Sequence, residues 1–247
     1  MIEFPTVDDW FQLARRYPAY KKPSNATLKD YGVMRCMRYI DDAFGERGKD
    51  CRVLEFGHGF NPAILERFQD KHEVWGADRD QGLPYFGNVD WETRFAKDVA
   101  PRCPRVRFVR ELLELDNASS ELPNGYFDVI ASVSVLEEVP METVENVLAA
   151  CAAKLRPGGV LIGTHDVRLD EAASRVPAYI AAQRKAGLKI EPLAAMPELD
   201  LCYLLVENPL SVMLWYQSGE PEETRKFWGH FGTLFTTATK PKKLFWA

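Results

Sequence analysis

The chain has no apolar run long enough to cross a bilayer. Its longest, such as Leu201 to Val206, fall far short of the roughly 20 residues a membrane span requires. The N-terminal MIEFPTVDDW has no basic stretch followed by an apolar one, so no secretory signal is expected there. Positive charge is in short supply: Lys and Arg number 31 against 36 Asp and Glu, for a formal net charge of −5. That balance argues against a general nucleic-acid surface. The 5 cysteines are odd in number and never in CxxC spacing, which reads as reduced, buried thiols in a cytoplasmic protein. His58, His72, His165 and His230 show no metal-ligand spacing. Asp166 with Glu137 or Glu138 is the only candidate oxygen donor set, and no metal is expected. A phosphate-cradling GxxxxGK[ST] loop, internal repeats and low-complexity linkers are missing too.

The 247 residues suit one α/β domain with an addition. Thr6 and Asp9 in capping-box spacing open a helix toward Tyr17, and Val33, Met37, Ile40 and Phe44 mark a longer one from about 26 to 44. Residues 1–50 therefore read as an N-terminal helical cap, most of whose apolar side chains belong to plain core packing. Residues 51–247 form the main domain. In it, strands at 52–56, 72–78, 106–110, 126–133 and 160–164 alternate with helices after Asn61-Pro62, around 91–99, at 141–155 and at 173–185. Asn61 suits a helix N-cap and Pro62 the first helical position. Pro157-Gly158 suits the centre of a type II turn. Leu201–Val206 and Val212–Gln217 read as a terminal antiparallel hairpin, 188–192 as a further strand and 221–231 as a helix. The series implies a mostly parallel sheet with helices on both faces.

In such sheets a ligand sits beyond the carboxyl ends of the strands, near the switch in strand order. Gly57 and Gly59, Asp78, the residues after Val133, and His165-Asp166 all fall there. Asp78 lies 19 residues beyond Gly59 at a strand end, where an acid accepts the two hydroxyls of a ribose. The third small residue of a dinucleotide fingerprint is replaced by Pro62 in GHGFNP, so the ligand read here carries a ribose but no diphosphate.

Four segments in order then resemble the class I, Rossmann-like S-adenosylmethionine-dependent methyltransferases: VLEFGHGFNP, VWGAD, YFDVIASVSVLEEVP and KLRPGGVLIGTHD, together spanning about 51 to 166. The resemblance implies S-adenosyl-L-methionine as cofactor. It places Glu55, Gly57, His58 and Gly59 around the methionine part, Asp78 with Arg79 at the ribose, and Val133 and Ser134 on the sulfonium side. For the adenine it offers Glu111 or Glu114, or instead Leu112 and Leu113 as a sandwich for the ring. Relatives often carry LEHVP where this chain has Leu136-Glu137-Glu138-Val139-Pro140: a chemical role of that histidine would be lost or moved here, whereas a helix-cap role would leave the chemistry untouched.

Methyl transfer from a sulfonium needs alignment first, and a base only for a protonated nucleophile. His165 and Glu137 are the expected catalytic residues, His165 first because its ordinary pKa lies near neutrality. The expected acceptor is a small molecule, methylated at oxygen in preference to nitrogen, with no nucleic acid or membrane as partner. Alternatives are a cofactor-binding scaffold without turnover and an aminopropyl transferase, the latter lacking a convincing acid pair. Trp215, Phe227, Trp228 and Trp246 suggest an apolar C-terminal surface for a homodimer.

Overall fold

Strand β1 (Ile2–Glu3) opens the chain, and helix α1 (Val7–Arg16) follows from Thr6. The Thr6 hydroxyl accepts the Asp9 N–H at 3.3 Å while the Asp9 carboxylate accepts the Thr6 N–H at 2.8 Å, the reciprocal box the spacing predicts. Next come α2 (Thr27–Phe44), β2 (Arg52–Phe56), α3 (Ala63–Phe68), β3 (Glu73–Asp78), α4 (Trp91–Asp98) and β4 (Arg107–Arg110). They are followed by β5 (Phe127–Val133), α5 (Met141–Lys154), β6 (Leu155–Arg168), α6 (Ala172–Lys185), β7 (Val206–Glu207) and β8 (Phe231–Thr239). The structure, a computed structural model, describes residues 1–20, 27–78, 90–111, 113, 120–168, 172–191, 206–207 and 231–242.

The strands form one sheet in the order β1-β8-β6-β5-β2-β3-β4, with β7 added against β8. β2 to β6 run parallel to one another, whereas β8 is antiparallel to β6, β1 and β7. The chain leaves β2 through β3 and β4 on one side, then crosses to β5 and β6 on the other. The switch in strand order therefore falls between β2 and β5, which opens a crevice at their carboxyl ends.

Strand alternation sorts the core into two layers. Val53, Val129, Ala131, Val133 and Ile162 pack with α1, α2 and α3. Leu54, Ile130 and Leu161 pack with α5 and α6 on the opposite face. Within α2, Tyr31, Met34, Cys36, Met37 and Ile40 are fully buried against the sheet. At a few kcal/mol per large side chain, this helix is a principal part of one layer, and β1 adds an edge to the same sheet.

Several local expectations change. Helix α3 starts after Pro62 with no side-chain cap, and Asn61 instead donates its N–H to the His58 carbonyl at 3.1 Å in the glycine turn. The strand expected at 188–192 is a single bridge between Lys189 and Thr239. The helix expected to end at Phe231 lies outside the described residues, and Phe231 itself opens β8. Of the expected hairpin, Val206 joins β7 and 212–217 lies outside the described residues. The terminal antiparallel element that is described is β8. Gly158 has φ +79°, the conformation the type II turn requires. The aromatic C-terminal surface proposed for a dimer lies outside the described residues. Among the described residues no helix is long and apolar enough to cross a membrane.

Candidate active site

Glu55, next to last in β2, points to the side of α2 and α3 by the same alternation that buries Val53 there. It is 2% exposed, and its Oε2 has no hydrogen-bond partner among the described residues. Burial, reinforced by the nearby Asp78, pushes its pKa up to about 8. The strand then ends in Gly57, with φ +70° and its N–H bonded to the Ala77 carbonyl at 2.9 Å. A Cβ at Gly57 would stand 2.4 Å from Val135 Cγ2, so the left-handed turn and the close approach both require glycine. Gly59, at φ +54°, has nothing within 4 Å of a Cβ position. Its backbone is open on that side. Its N–H donates to Asp78 Oδ2 at 2.6 Å, which ties the loop to the end of β3 and orients the carboxylate.

His58 lies between the two glycines and is buried. Its Nδ1 sits 2.8 Å from the Gly59 carbonyl. A carbonyl only accepts, so Nδ1 carries the proton. Burial lowers the ring's pKa, with Asp78 acting in the opposite direction. The ring meets Phe108 edge-on at 5.4 Å. Beside it a cavity of about 200 Å³ is lined by His58, Asp78, Trp91, Phe95, Phe108 and Arg110. Sequence reasoning missed this wall; the signal that could have found it is the spacing of Trp91 and Phe95, one helical turn apart on α4. Only the fold shows that Phe108 of β4 completes it.

At the end of β5, Ser134 has φ +52°, the one positive φ among the described residues other than glycine. Its N–H bonds the Thr164 carbonyl at 3.1 Å. A non-glycine residue held in this conformation at a strand end is a common mark of a functional site.

The structure thus brings Glu55, Gly57, His58, Gly59, Asp78, Val133 and Ser134 to neighbouring carboxyl ends of β2, β3 and β5. Arg79, Leu112 and Glu114 lie outside the described residues. Leu113 is buried in the core layer of Leu54 and Phe56. Glu111 is engaged in the loop that follows β4: its two oxygens accept the Ser120 hydroxyl at 2.5 Å and the Glu121 N–H at 2.9 Å. Glu137 sits half-buried in the turn after β5, close enough to Tyr179 to act on it electrostatically. His165 lies on the other side of the sheet. It is 3% exposed, stacked on Tyr179 at 4.9 Å, with Nε2 3.4 Å from the Thr236 hydroxyl. Burial pushes its pKa down to about 4. Among the described residues no group of acids, histidines and cysteines could hold a metal ion.

Residues 56–163 match the sequence profile of a family described as methyltransferase domain. Over those residues the chain matches a methyltransferase domain, on the fold of the class I methyltransferases. No curated protein matches it in sequence. Among solved structures, a putative sarcosine dimethylglycine methyltransferase from Galdieria sulphuraria is 13% identical at a TM-score of 0.55, over 96% of this chain and 100% of that one. The DszA carbon methyltransferase is 15% identical at 0.56, over 92% and 58%. The [4+2]-cyclase SpnF is 16% identical at 0.54, over 84% and 80%. At these identities the likeness establishes the fold.

The methyl donor of this class is S-adenosylmethionine, and the residues present fit it. An open glycine backbone faces the crevice, an oriented acid stands at the end of β3, and an aromatic cavity adjoins that acid. A buried carboxyl beside the loop has an unpaired oxygen.

Proposed function

We propose that this methyltransferase transfers a methyl group to a small-molecule acceptor, at oxygen. The observation that carries the binding part of this reading is the Gly59 N–H to Asp78 bond. It fixes one carboxylate oxygen from the loop side and so aims the group into the crevice beside the aromatic cavity. Asp78 accepts the ribose hydroxyls. Gly57, His58 and Gly59 form the wall against the methionine part, with Glu55 behind them. Val133 and Ser134 line the sulfonium, and the cavity edged by Trp91 and Phe108 receives the base. When bound, the cofactor supplies an electrophilic methyl group on a positively charged sulfur.

The chain's own task is alignment and exclusion of water, an entropic contribution. We reassign His165 from base to structural residue, because its ring stacks on Tyr179 on the far face and burial, by lowering its pKa to about 4, makes it a weak proton acceptor. Glu137, the other expected base, lies by Tyr179, and Asp166, next to His165 but on the opposite face of β6 beside Ser134, is the carboxyl better placed to receive a proton. A structural neighbour named as a carbon methyltransferase fits the same requirement, since carbon acids and hydroxyls both shed a proton whereas a free amine does not need to first.

Transfer of labelled methyl from S-adenosylmethionine to a panel of small hydroxyl, amine and carbon-acid compounds tests the acceptor class. Label in hydroxyl compounds is expected. Label found in amines alone would contradict the choice of oxygen. Binding without transfer to any acceptor would favour a cofactor-binding scaffold.

A further inference from the structure

Helix α2 passes close over the ends of β5 and β6. A Cβ at Gly32 would stand 2.4 Å from Thr164 Oγ1 and 2.8 Å from Val133 Cγ1. Lys29 precedes Gly32 by three residues and so lies on the same helix face. Its ammonium acts electrostatically on two carboxyls from different strands, Glu55 of β2 and Asp166 of β6. Alternation along β6 puts Thr164 and Asp166 on the α2 side and His165 on the α6 side. The Ser134 hydroxyl, on its strained strand end, and the Thr233 hydroxyl of β8 also act on Asp166. Three buried oxygens on the α2 side of the strand ends have no hydrogen-bond partner among the described residues: Glu55 Oε2 and Asp166 Oδ1, both under the influence of Lys29, and Thr164 Oγ1 beside Gly32. Buried polar atoms are paired in the large majority of cases, so three unpaired ones facing one helix turn need a guest to explain them.

This inference rests on the cofactor reading above, which sets the sulfonium against Ser134. We propose that Asp166 distinguishes the charged donor from the neutral product. It stands as a carboxylate while a positive sulfur is beside it, and it takes the acceptor's proton as that charge disappears. In the transfer, the acceptor O–H proton passes to Asp166, and the oxygen's electron pair forms the bond to the methyl carbon. The electron pair of the carbon–sulfur bond stays on sulfur, leaving a neutral thioether. One negative and one positive charge vanish together.

Charge arithmetic supports the assignment. Burial raises the pKa of Asp166, with Thr233, Ser134 and Lys29 opposing. A unit positive charge about 6 Å away lowers a carboxyl by on the order of two pH units at an effective dielectric of about 20. The other titratable groups linked to Asp166 are Glu55 from β2, which shares Lys29 with it, and Tyr179 from α6, which feels its charge across the strand end. Tyr179, its pKa pushed up to about 12 by burial first and by Glu137 next, stays neutral. Glu55 lies by the methionine end, which donor and product share, so its response is the same for both.

The test is calorimetry near neutral pH in two buffers of different ionisation enthalpy, which counts protons released on binding. S-adenosylmethionine should release more protons than S-adenosylhomocysteine, because the positive sulfur favours the carboxylate form of Asp166. Asp166→Asn should erase that difference, and Glu55→Gln should keep it. Lys29→Met, by removing a charge that favours the carboxylate, should move the pH of the largest difference upward. Equal proton counts for the two ligands, or a difference that survives Asp166→Asn, would overturn this proposal alone. Failure of both ligands to bind would overturn the cofactor reading, and the proposal with it.

Discussion

Gly57 and Gly59 have similar backbone angles but would tolerate a side chain differently. An alanine at Gly57 brings both a left-handed strain and a collision with Val135 inside the packed turn. Gly57→Ala should therefore destabilise the fold by roughly 2 to 4 kcal/mol, read as a lowered midpoint in denaturant. At Gly59 the space is open, so Gly59→Ala carries only the backbone strain, about 1 kcal/mol. Its methyl group would instead obstruct the face offered to a ligand, and weaker cofactor binding at nearly unchanged stability is the expected result.

Two buried titratable residues pull stability in opposite directions with pH. His165 is held at about 4 against an ordinary 6.5. The unfolded chain therefore binds a proton there that the folded chain refuses, and this contribution to stability is lost as pH falls from 6.5 toward 4. Glu55 is held at about 8 against an ordinary 4.5, so the folded state keeps a proton the unfolded state releases. Its contribution is lost as pH rises through that window. Glu55→Gln should consequently stabilise the ligand-free protein at the alkaline end by roughly 2 to 4 kcal/mol, measured by denaturation at several pH values. An unchanged pH profile in that variant would contradict the burial argument. The glycine loop and Asp78 were legible in the sequence because their spacing is local. The place of His165 was not, since it depends on which helix covers each face of β6.

At the scale of elements, α2 was legible as a helix from the period of Val33, Met37, Ile40 and Phe44. Its burial against the sheet, and the approach of Lys29 to two strand ends, come from tertiary packing that period alone does not encode. Gly32 gives a sharp test. In an exposed helix, replacing glycine by alanine stabilises by up to about 1 kcal/mol. Here the added carbon meets Thr164 Oγ1 at 2.4 Å, so Gly32→Ala should destabilise instead, by about 1 to 3 kcal/mol. A higher melting temperature would contradict the close packing of α2 on β6. Strand β8 escaped the sequence because its run FGTLFTTAT alternates neither cleanly nor apolarly. Thr233 and Thr236 are buried at 2% exposure, bonded to or facing His165 and Gln183 in place of apolar contacts.

For the whole molecule, the sheet end opposite the crevice is tied together at Asp128. Its carboxylate, 1% exposed, accepts from Arg47 at 2.6 Å, Arg156 at 2.5 Å and the Arg52 N–H at 2.9 Å. Burial alone would raise its pKa, but the Arg52 N–H and the two guanidinium groups outweigh it and hold the carboxylate low. Asp128→Ala leaves two cations and a backbone N–H without their acceptor and should cost about 3 kcal/mol or more. By contrast, the exposed pair Arg105–Asp70 should cost under about 1 kcal/mol when either member is removed. The division of labour is plain in space: the amino end of the sheet is locked by charge, and the carboxyl end keeps unpaired oxygens and an open glycine backbone for a ligand.

The central claim is that this open end is an S-adenosylmethionine site built on the Gly59–Asp78 contact. Calorimetric titration of S-adenosylhomocysteine into the wild type, Asp78→Asn and Asp78→Ala tests it most directly. The wild type should bind, and Asp78→Ala should lose at least about tenfold in affinity, the worth of a charge-assisted hydrogen bond, with Asp78→Asn in between. Wild-type protein that takes up no ligand, or an Asp78→Ala variant that binds as tightly as the wild type, would contradict the account.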